Sequence, residues 1–185
     1  MTPWQLRQAA RIVHQGGIIA YPTEAVFGLG CDPLNGAAVM RLLRIKQRDP
    51  AKGLILIAAD FAQLQPYLAE VTAAVLAKVR KSWPGPYTWL LPVAAHVPTW
   101  LTGAHDKLAV RVTAHPIAAA LCRACGGPLV STSANLAGQA PARNSLAVQQ
   151  RLGNEVDMII HGATGGLRQP TAITDALTDA VVRAN

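Results

Sequence analysis

The stretch Leu54-Ile55-Leu56-Ile57-Ala58 contains no polar side chain. A strand of that length without a polar face must be covered on both sides, which calls for helices above and below a sheet. The remaining sequence can supply them. Thr2-Pro3 reads as a cap with proline at the first helical position, Leu6, Ala9, Ala10 and Val13 recur at helical spacing, and Gly16-Gly17 ends the helix with Arg7, Arg11 and His14 toward solvent. A second helix is expected from Gly36 to Lys46 with Val39, Met40, Leu42 and Leu43 inward. Others are expected after a cap at Asp60, from Val71 toward Trp83 with Lys78, Arg80 and Lys81 in its last turn, and from Asn144 to Leu152. Strands are expected near residues 18–21, 54–59, 88–93, 107–113, 128–132, 156–160 and 172–183. Strands and helices interleaved in this way make an α/β layer structure. No helix is expected between 88–93 and 107–113, so those two strands should pair antiparallel within an open, twisted, mixed parallel and antiparallel sheet.

A chain of 185 residues suits a single domain spanning 1–185. Its 17 basic and 10 acidic residues leave a net charge of +7, a surplus that draws nucleic acid, nucleotides or other anions, or serves only as a solvated surface. The amino terminus lacks the apolar core of a secretory signal, no run is long enough to span a membrane, and the cysteines number 3, an odd count that argues against a disulfide framework. The expectation is a cytoplasmic protein. Cys122 and Cys125 form one C-x-x-C on an Ala/Leu-rich helical stretch, where core packing is the better reading than a metal site.

Three polar clusters stand out. Pro128-Leu129-Val130 reads as a buried strand that ends in Ser131-Thr132-Ser133-Ala134-Asn135-Leu136-Ala137-Gly138, placing hydroxyls and an amide at a strand's carboxyl end, where open α/β sheets bind ligands. The plain alternative is a polar turn. Ile18 to Tyr21 is a first strand ended by Pro22, followed by a loop from Thr23 to Gly30 in which Gly28 and Gly30 allow tight turns and Val26 and Phe27 form an apolar floor. Glu24, in that loop, reads as a surface or capping carboxylate ahead of a functional one. Lys46-Gln47-Arg48-Asp49-Pro50 sets two cations at a helix end stopped by proline, suited to grip a polyanion or simply to complement the helix dipole. Trp83-Pro84-Gly85-Pro86-Tyr87-Thr88 is a rigid turn, which could hold a hydroxyl or pack Trp83 and Tyr87 in the core. Arg111 lies among apolar neighbours and needs an anion or solvent. Neither a P-loop nor a G-x-G-x-x-G opening a helix is present.

The segments Pro22-Thr23-Glu24-Ala25-Val26-Phe27-Gly28-Leu29-Gly30, Lys46-Gln47-Arg48, Pro84 to Thr88, Val110-Arg111-Val112 and Ser131 to Gly138 occur in the order found in the YrdC/TsaC family, the bacterial threonylcarbamoyl-AMP synthases, which the chain resembles over nearly its whole length. The resemblance implies a YrdC-like sheet, similar to the dihydroxybutanone phosphate synthase type of fold, with a concave basic face. It implies that Lys46 and Arg48 are catalytic and neutralise ATP phosphates, and that Thr88, Ser133, Asn135, Pro141, Arg143 and Arg183 join them around the adenylate. Thr23, Arg111, Ser131 and Thr171 would hold threonine, with Arg111 on a carboxylate. The closing Pro170 to Asp175 and Val181-Val182-Arg183 also resemble the family, although Ala172 replaces a hydroxyl or charge and no glycine follows Arg183. The small connecting domain of longer relatives is missing, as in the short form of the family.

The reaction so implied joins L-threonine, bicarbonate or CO2, and ATP into threonylcarbamoyl-AMP and pyrophosphate, with Mg2+ arriving on the ATP and bound mainly by phosphates and water. It would feed the proteins that pass the threonylcarbamoyl group to an adenosine of tRNAs reading codons that begin with A. Positioning and charge stabilisation suffice for such a transfer, which matches a site of Lys, Arg, Ser, Thr and Asn. The rival expectation is a non-catalytic protein whose basic concavity binds structured RNA, whether tRNA or ribosomal RNA, with an affinity that falls steeply with salt. A carbamoyl transferase acting on another acceptor is a third.

Overall fold

The computed structural model describes residues 1–169 and 171–183; Pro170, Ala184 and Asn185, which the family comparison above drew on, lie outside the described residues. The chain opens with α1 (Pro3–His14), β1 (Ile19–Pro22), β2 (Phe27–Gly30) and α2 (Gly36–Lys46). Then come β3 (Ile55–Ala58), α3 (Phe61–Leu64), α4 (Ala73–Lys81), β4 (Thr88–Pro92) and α5 (Thr99–Thr102). It closes with β5 (Lys107–Val112), α6 (Pro116–Ala124), β6 (Leu129–Ser133), α7 (Ser145–Leu152), β7 (Met158–Ile159), β8 (Ile173–Asp175) and β9 (Val181–Arg183).

Local chemistry sets the helix starts. Thr2 and Gln5 form a reciprocal capping box ahead of Pro3, and the side chains of Asn35, Asp60, Thr72 and Asn144 each accept from a backbone amide in the first turn of the helix they precede. The helix α2 stops at Lys46, before Pro50, because Gln47 adopts a left-handed conformation with φ of 48°.

Among the described residues the strands form one sheet in the order β7-β1-β2-β6-β3-β5-β4-β8-β9. Pairing is parallel for β1 with β7, β3 with β5 and β4 with β8, and antiparallel at the other junctions, so the expected mixed sheet is present. Alternate residues face opposite sides. Ile19, Tyr21, Ile57 and Leu129 pack with α1 and α6 residues such as Val13, Ala118 and Cys122. Ile18, Ala20, Leu56 and Val130 meet Val39 and Leu42 of α2, Val79 of α4, Leu101 of α5 and Val148 of α7 on the other side. The apolar run at 54–58 is therefore covered on both faces except at Ile55, which is half-buried.

Several expectations need correction. Residues 27–30 are a strand and not loop: Phe27 to Gly30 ladder with β1 on one side, while Gly28 and Leu29 pair with β6 on the other. Residues 172–183 fold back on themselves as β8 and β9, with Asp175 bonding the turn amides of Leu177 and Thr178. The short helix α5 lies between β4 and β5, which still pair antiparallel. Met40 is 49% exposed and Tyr87 50%, so neither belongs to the core. Cys122 is buried against the backbone of Ile57, in keeping with a packing role.

Candidate functional site

Two residues beyond Leu129 on β6 stands Ser131, and its registered neighbour on β3 is Ile55. Arg111 of β5 pairs with Ile57. By parity these residues share the sheet face covered elsewhere by α1 and α6. A cleft of about 700 Å³, open to solvent, lies over them, floored by Ile55 and by Gly28, where a Cβ would stand 3.3 Å from both Ser131 Oγ and Thr23 Cγ2. Thr23, Arg48, Arg111, Ser131, Ser133, Thr171 and Arg183 all line it. Segments far apart in sequence thus converge because β2, β3 and β6 are neighbours and β5 follows.

The two arginines keep capacity for an anion. Arg48, at the C-terminal side of α2, donates through Nη2 to the Gly53 carbonyl at 3.1 Å. Arg111 donates through Nη1 to Thr171 Oγ1 at 2.7 Å and places Nη2 3.5 Å from Glu24 Oε2. Among the described residues the buried Nε atoms of both arginines have no hydrogen-bond partner. A buried donor left without a partner costs about 1–3 kcal/mol, so the protein alone does not fully satisfy the two guanidinium groups that line the cleft. Arg183 reaches from β9 to the Thr171 carbonyl at 2.7 Å. Partial burial, with Arg111 and Arg48 nearby, pulls the Arg183 pKa below its ordinary value. Partial burial lowers that of Arg48 as well.

Lys46 is differently placed. Its Nζ donates to the carbonyls of Ser133 at 2.5 Å and Asn135 at 2.7 Å and to Asn135 Oδ1 at 2.8 Å, which accounts for the three protons of an ammonium. Ser133 Oγ donates to Asn135 Oδ1 at 2.6 Å, and Asn135 Nδ2 donates to the Leu136 and Gln139 carbonyls. Lys46 is only 4% exposed, and burial, with Arg48 adding like charge, pushes its pKa down to about 8. The predicted trio of Lys46, Ser133 and Asn135 is thus brought together as a closed network, of which only Ser133 lines the cleft.

Two other predicted hydroxyls, those of Thr88 and Thr23, are engaged within the chain. Thr88 is buried on β4, with its hydroxyl 3.3 Å from that of Thr171. Thr23 donates its hydroxyl to the Val26 carbonyl, closing the turn between β1 and β2. The structure does not bring Pro141 and Arg143 into the cleft lining: Pro141 precedes Ala142, which bonds Phe27 and Ala134, and exposed Arg143 spends its guanidinium on the carbonyls of Leu167 and Arg168.

Glu24 is the residue whose reading changes most. It is not a surface carboxylate but 6% exposed, accepting at Oε1 from Thr113 Oγ1 at 2.5 Å and from the Ala114 amide at 3.2 Å. Burial alone would raise its pKa, but Arg111, Thr113 and His115 together hold it below the ordinary 4.5. The available sequence signal was an acid directly after Pro22-Thr23, at the carboxyl end of a buried strand in a chain rich in arginine.

Among the described residues no group of three or more His, Cys, Asp or Glu side chains is placed to hold a metal ion, and no helix is long and apolar enough to cross a membrane.

Comparison with known proteins adds the following. The Sua5_yciO_yrdC family model, whose description reads telomere recombination, matches residues 11–184. A Nitrosococcus oceani protein named threonylcarbamoyl-AMP synthase is 55% identical over 175 residues, covering 95% of each chain. The crystal structure of E. coli YciO superposes with a TM-score of 0.86 at 34% identity, covering 98% of this chain and 89% of that one. P. abyssi Sua5 complexed with L-threonine superposes with a TM-score of 0.89 at 32% identity over 95% of this chain, which spans only 52% of Sua5.

Proposed function

Since the chain belongs to the Sua5/YciO/YrdC family, we infer that its cleft is the active site of a threonylcarbamoyl-AMP synthase, an ATP-consuming nucleotidyltransferase of tRNA modification. The observation that carries this reading is the pair of arginines, Arg48 and Arg111, that line the cleft with guanidinium groups the protein only partly engages, in a chain 55% identical to a relative named for that activity. A synthase that condenses a carboxylated amine with a nucleoside triphosphate has two anions to hold. The cleft offers one arginine near Ser133 and the end of α2, and another between Thr171 and Glu24.

In this reading Arg111 receives the carboxylate of L-threonine, with Thr23, Ser131 and Thr171 beside it. Arg48 meets the phosphates of ATP, and Arg183 adds positive charge at the rim. The neutral amine of threonine adds to CO2 and releases a proton, or condenses with bicarbonate with loss of water and no net release of a proton, giving a carbamate. One carbamate oxygen attacks the α-phosphorus of ATP, the bond from that phosphorus to the bridging oxygen breaks, and pyrophosphate leaves with the electron pair. The chain's own part is to hold the two anions in line and to offset charge that builds on the phosphoryl oxygens. Lys46 serves by fixing the carbonyls of Ser133 and Asn135, so that the end of β6 keeps its shape against the nucleotide. Magnesium travels with ATP as part of the substrate: no carboxylate is among the described residues lining the cleft, and Glu24, beside Thr23, is committed to Thr113, Ala114 and Arg111, so triphosphate oxygens and water would supply the ion's ligands. The cytoplasm is the compartment such an enzyme serves, and the basic surface suits an encounter with tRNA.

The test is incubation of the purified protein with ATP, magnesium, bicarbonate and labelled threonine, followed by chromatography. A threonine-labelled adenylate that requires bicarbonate and is not formed with serine in place of threonine supports the reading. Absence of any adenylate from folded protein overturns it.

A further inference from the structure

Glu24 takes no part in the chemistry derived above and does not line the cleft, yet it is buried and engaged by Thr113, Ala114 and Arg111. Its carboxylate splits its duties. Oε1 accepts from the Thr113 hydroxyl and the Ala114 amide, whereas Oε2 has no hydrogen-bond partner among the described residues and stands 3.5 Å from Arg111 Nη2. The backbone below is equally fixed. Gly165 donates its amide to the Thr23 carbonyl at 3.0 Å and Leu167 donates to that of Glu24 at 3.1 Å, and a Cβ on Gly165 would stand 2.9 Å from Glu24 O.

A guanidinium is a planar fork, so fixing two of its nitrogens fixes the direction of the third. Arg111 is anchored at Nη1 by Thr171 and drawn at Nη2 by Glu24, which together set the orientation of the guanidinium that lines the cleft. We propose that Glu24 is a positioning residue that aims Arg111 at the carboxylate of the amino-acid substrate, and so sets the enzyme's preference for a substrate that carries one. This rests on the assignment of Arg111 to threonine made above. A neutral amide cannot replace Glu24, because its oxygen is needed by Thr113 and Ala114 and its NH2 would then face Nη2, donor against donor.

The test is calorimetric titration of the purified protein with L-threonine, with L-threoninol, which lacks the carboxylate, and with ATP. Glu24→Gln is expected to weaken L-threonine about tenfold, to leave ATP within about twofold, and to narrow the gap between threonine and threoninol, as befits one misdirected charge-assisted contact. Thr113→Val, which removes one of the two hydrogen bonds to Oε1 but keeps the ion pair, should weaken threonine in the same selective manner by about threefold, and it decides the matter if the Gln variant does not fold. Unchanged threonine affinity in the folded variant, or equal loss of threonine and ATP, overturns the proposal. Arg111→Ala separates this from the reading beneath it. If that variant still binds threonine as well as the wild type, the assignment of Arg111 is wrong and Glu24 falls with it; if it loses threonine while Glu24→Gln does not, only the role of Glu24 is wrong.

Discussion

Lys46 and Arg48 stand two residues apart and carry the same charge, yet they are used in opposite ways: Arg48 lines the cleft, and Lys46 sits behind Ser133, which does. The ammonium of Lys46 is saturated by Ser133 and Asn135, whereas the guanidinium of Arg48 holds the Gly53 carbonyl with Nη2 and keeps a buried Nε without a partner. Gln47 makes the difference possible. Its left-handed φ of 48° ends α2 and turns the chain between the two cations, at a cost of about 1–2 kcal/mol for a residue with a Cβ. One cation organises the site, and the other is kept for what enters it.

The sharpest way to break this contrast is to remove each cation separately. Arg48→Ala is expected to lower adenylate synthesis about 100-fold, the scale of losing one donor to a developing charge, with thermal unfolding nearly unmoved. Lys46→Met should do what Arg48→Ala does not. It leaves the carbonyls of Ser133 and Asn135 and the Asn135 amide oxygen short of a donor, so chemical denaturation should show a loss of about 2 kcal/mol alongside lower activity. A Lys46→Met protein as stable as the wild type but inactive would mean that Lys46 meets the substrate after all.

How far the sequence could be read follows the same division. Runs such as Leu54 to Ala58 declare their burial in their own composition, so strands, helices and the two-sided core were legible. The strand at Phe27 to Gly30 was not, because two glycines in four residues erase the side-chain pattern and only the ladders to β1 and β6 make it a strand. The cleft residues Thr23, Arg48, Arg111, Ser131, Ser133, Thr171 and Arg183 were marked by polar type at the ends of apolar runs or by resemblance. The partners of Lys46 are mostly backbone carbonyls, which a sequence does not display, and Glu24 looked superficial because Arg111 and Thr113 lie on a distant strand. Pro141 and Arg143 match the family pattern yet serve the loop beside the cleft.

Titration sharpens the contrast between saturated and paired groups. For Lys46 the folded pKa is about 8 against an ordinary 10.5, so the unfolded chain binds more protons between those values and stability from this group rises with pH across that window. The gap in unfolding free energy between wild type and Lys46→Met should therefore shift in favour of the wild type from pH 8 to pH 10. Glu24 has the same sign in a more acidic window. Its folded pKa lies below the ordinary 4.5, so its contribution is complete above that value and is lost as pH falls through the lower, folded one. Acid unfolding of Glu24→Gln should be shallower than that of the wild type below pH 4.5.

The smallest expected effect guards the largest. Arg41 lies on α2 with Lys46, but it points to the surface and pairs with Asp157 at 2.7 Å, both side chains being about a third exposed (35% and 37%). Asp157 also accepts from the Ile18 amide at 2.7 Å and so keeps a partner when the arginine is removed. Solvent screens such a pair, and Arg41→Ala should cost less than about 1 kcal/mol and leave the Michaelis constant for ATP unchanged. The substitution removes one positive charge from the same helix without touching the cleft. If ATP affinity nevertheless fell as it does in Arg48→Ala, and the fall disappeared at high salt, the helix would be acting through its long-range field, since screening erases field effects before it erases buried contacts. An unchanged Michaelis constant places the effect of Arg48 in contact with the nucleotide, and the contrast with Lys46 then rests on which donors remain free.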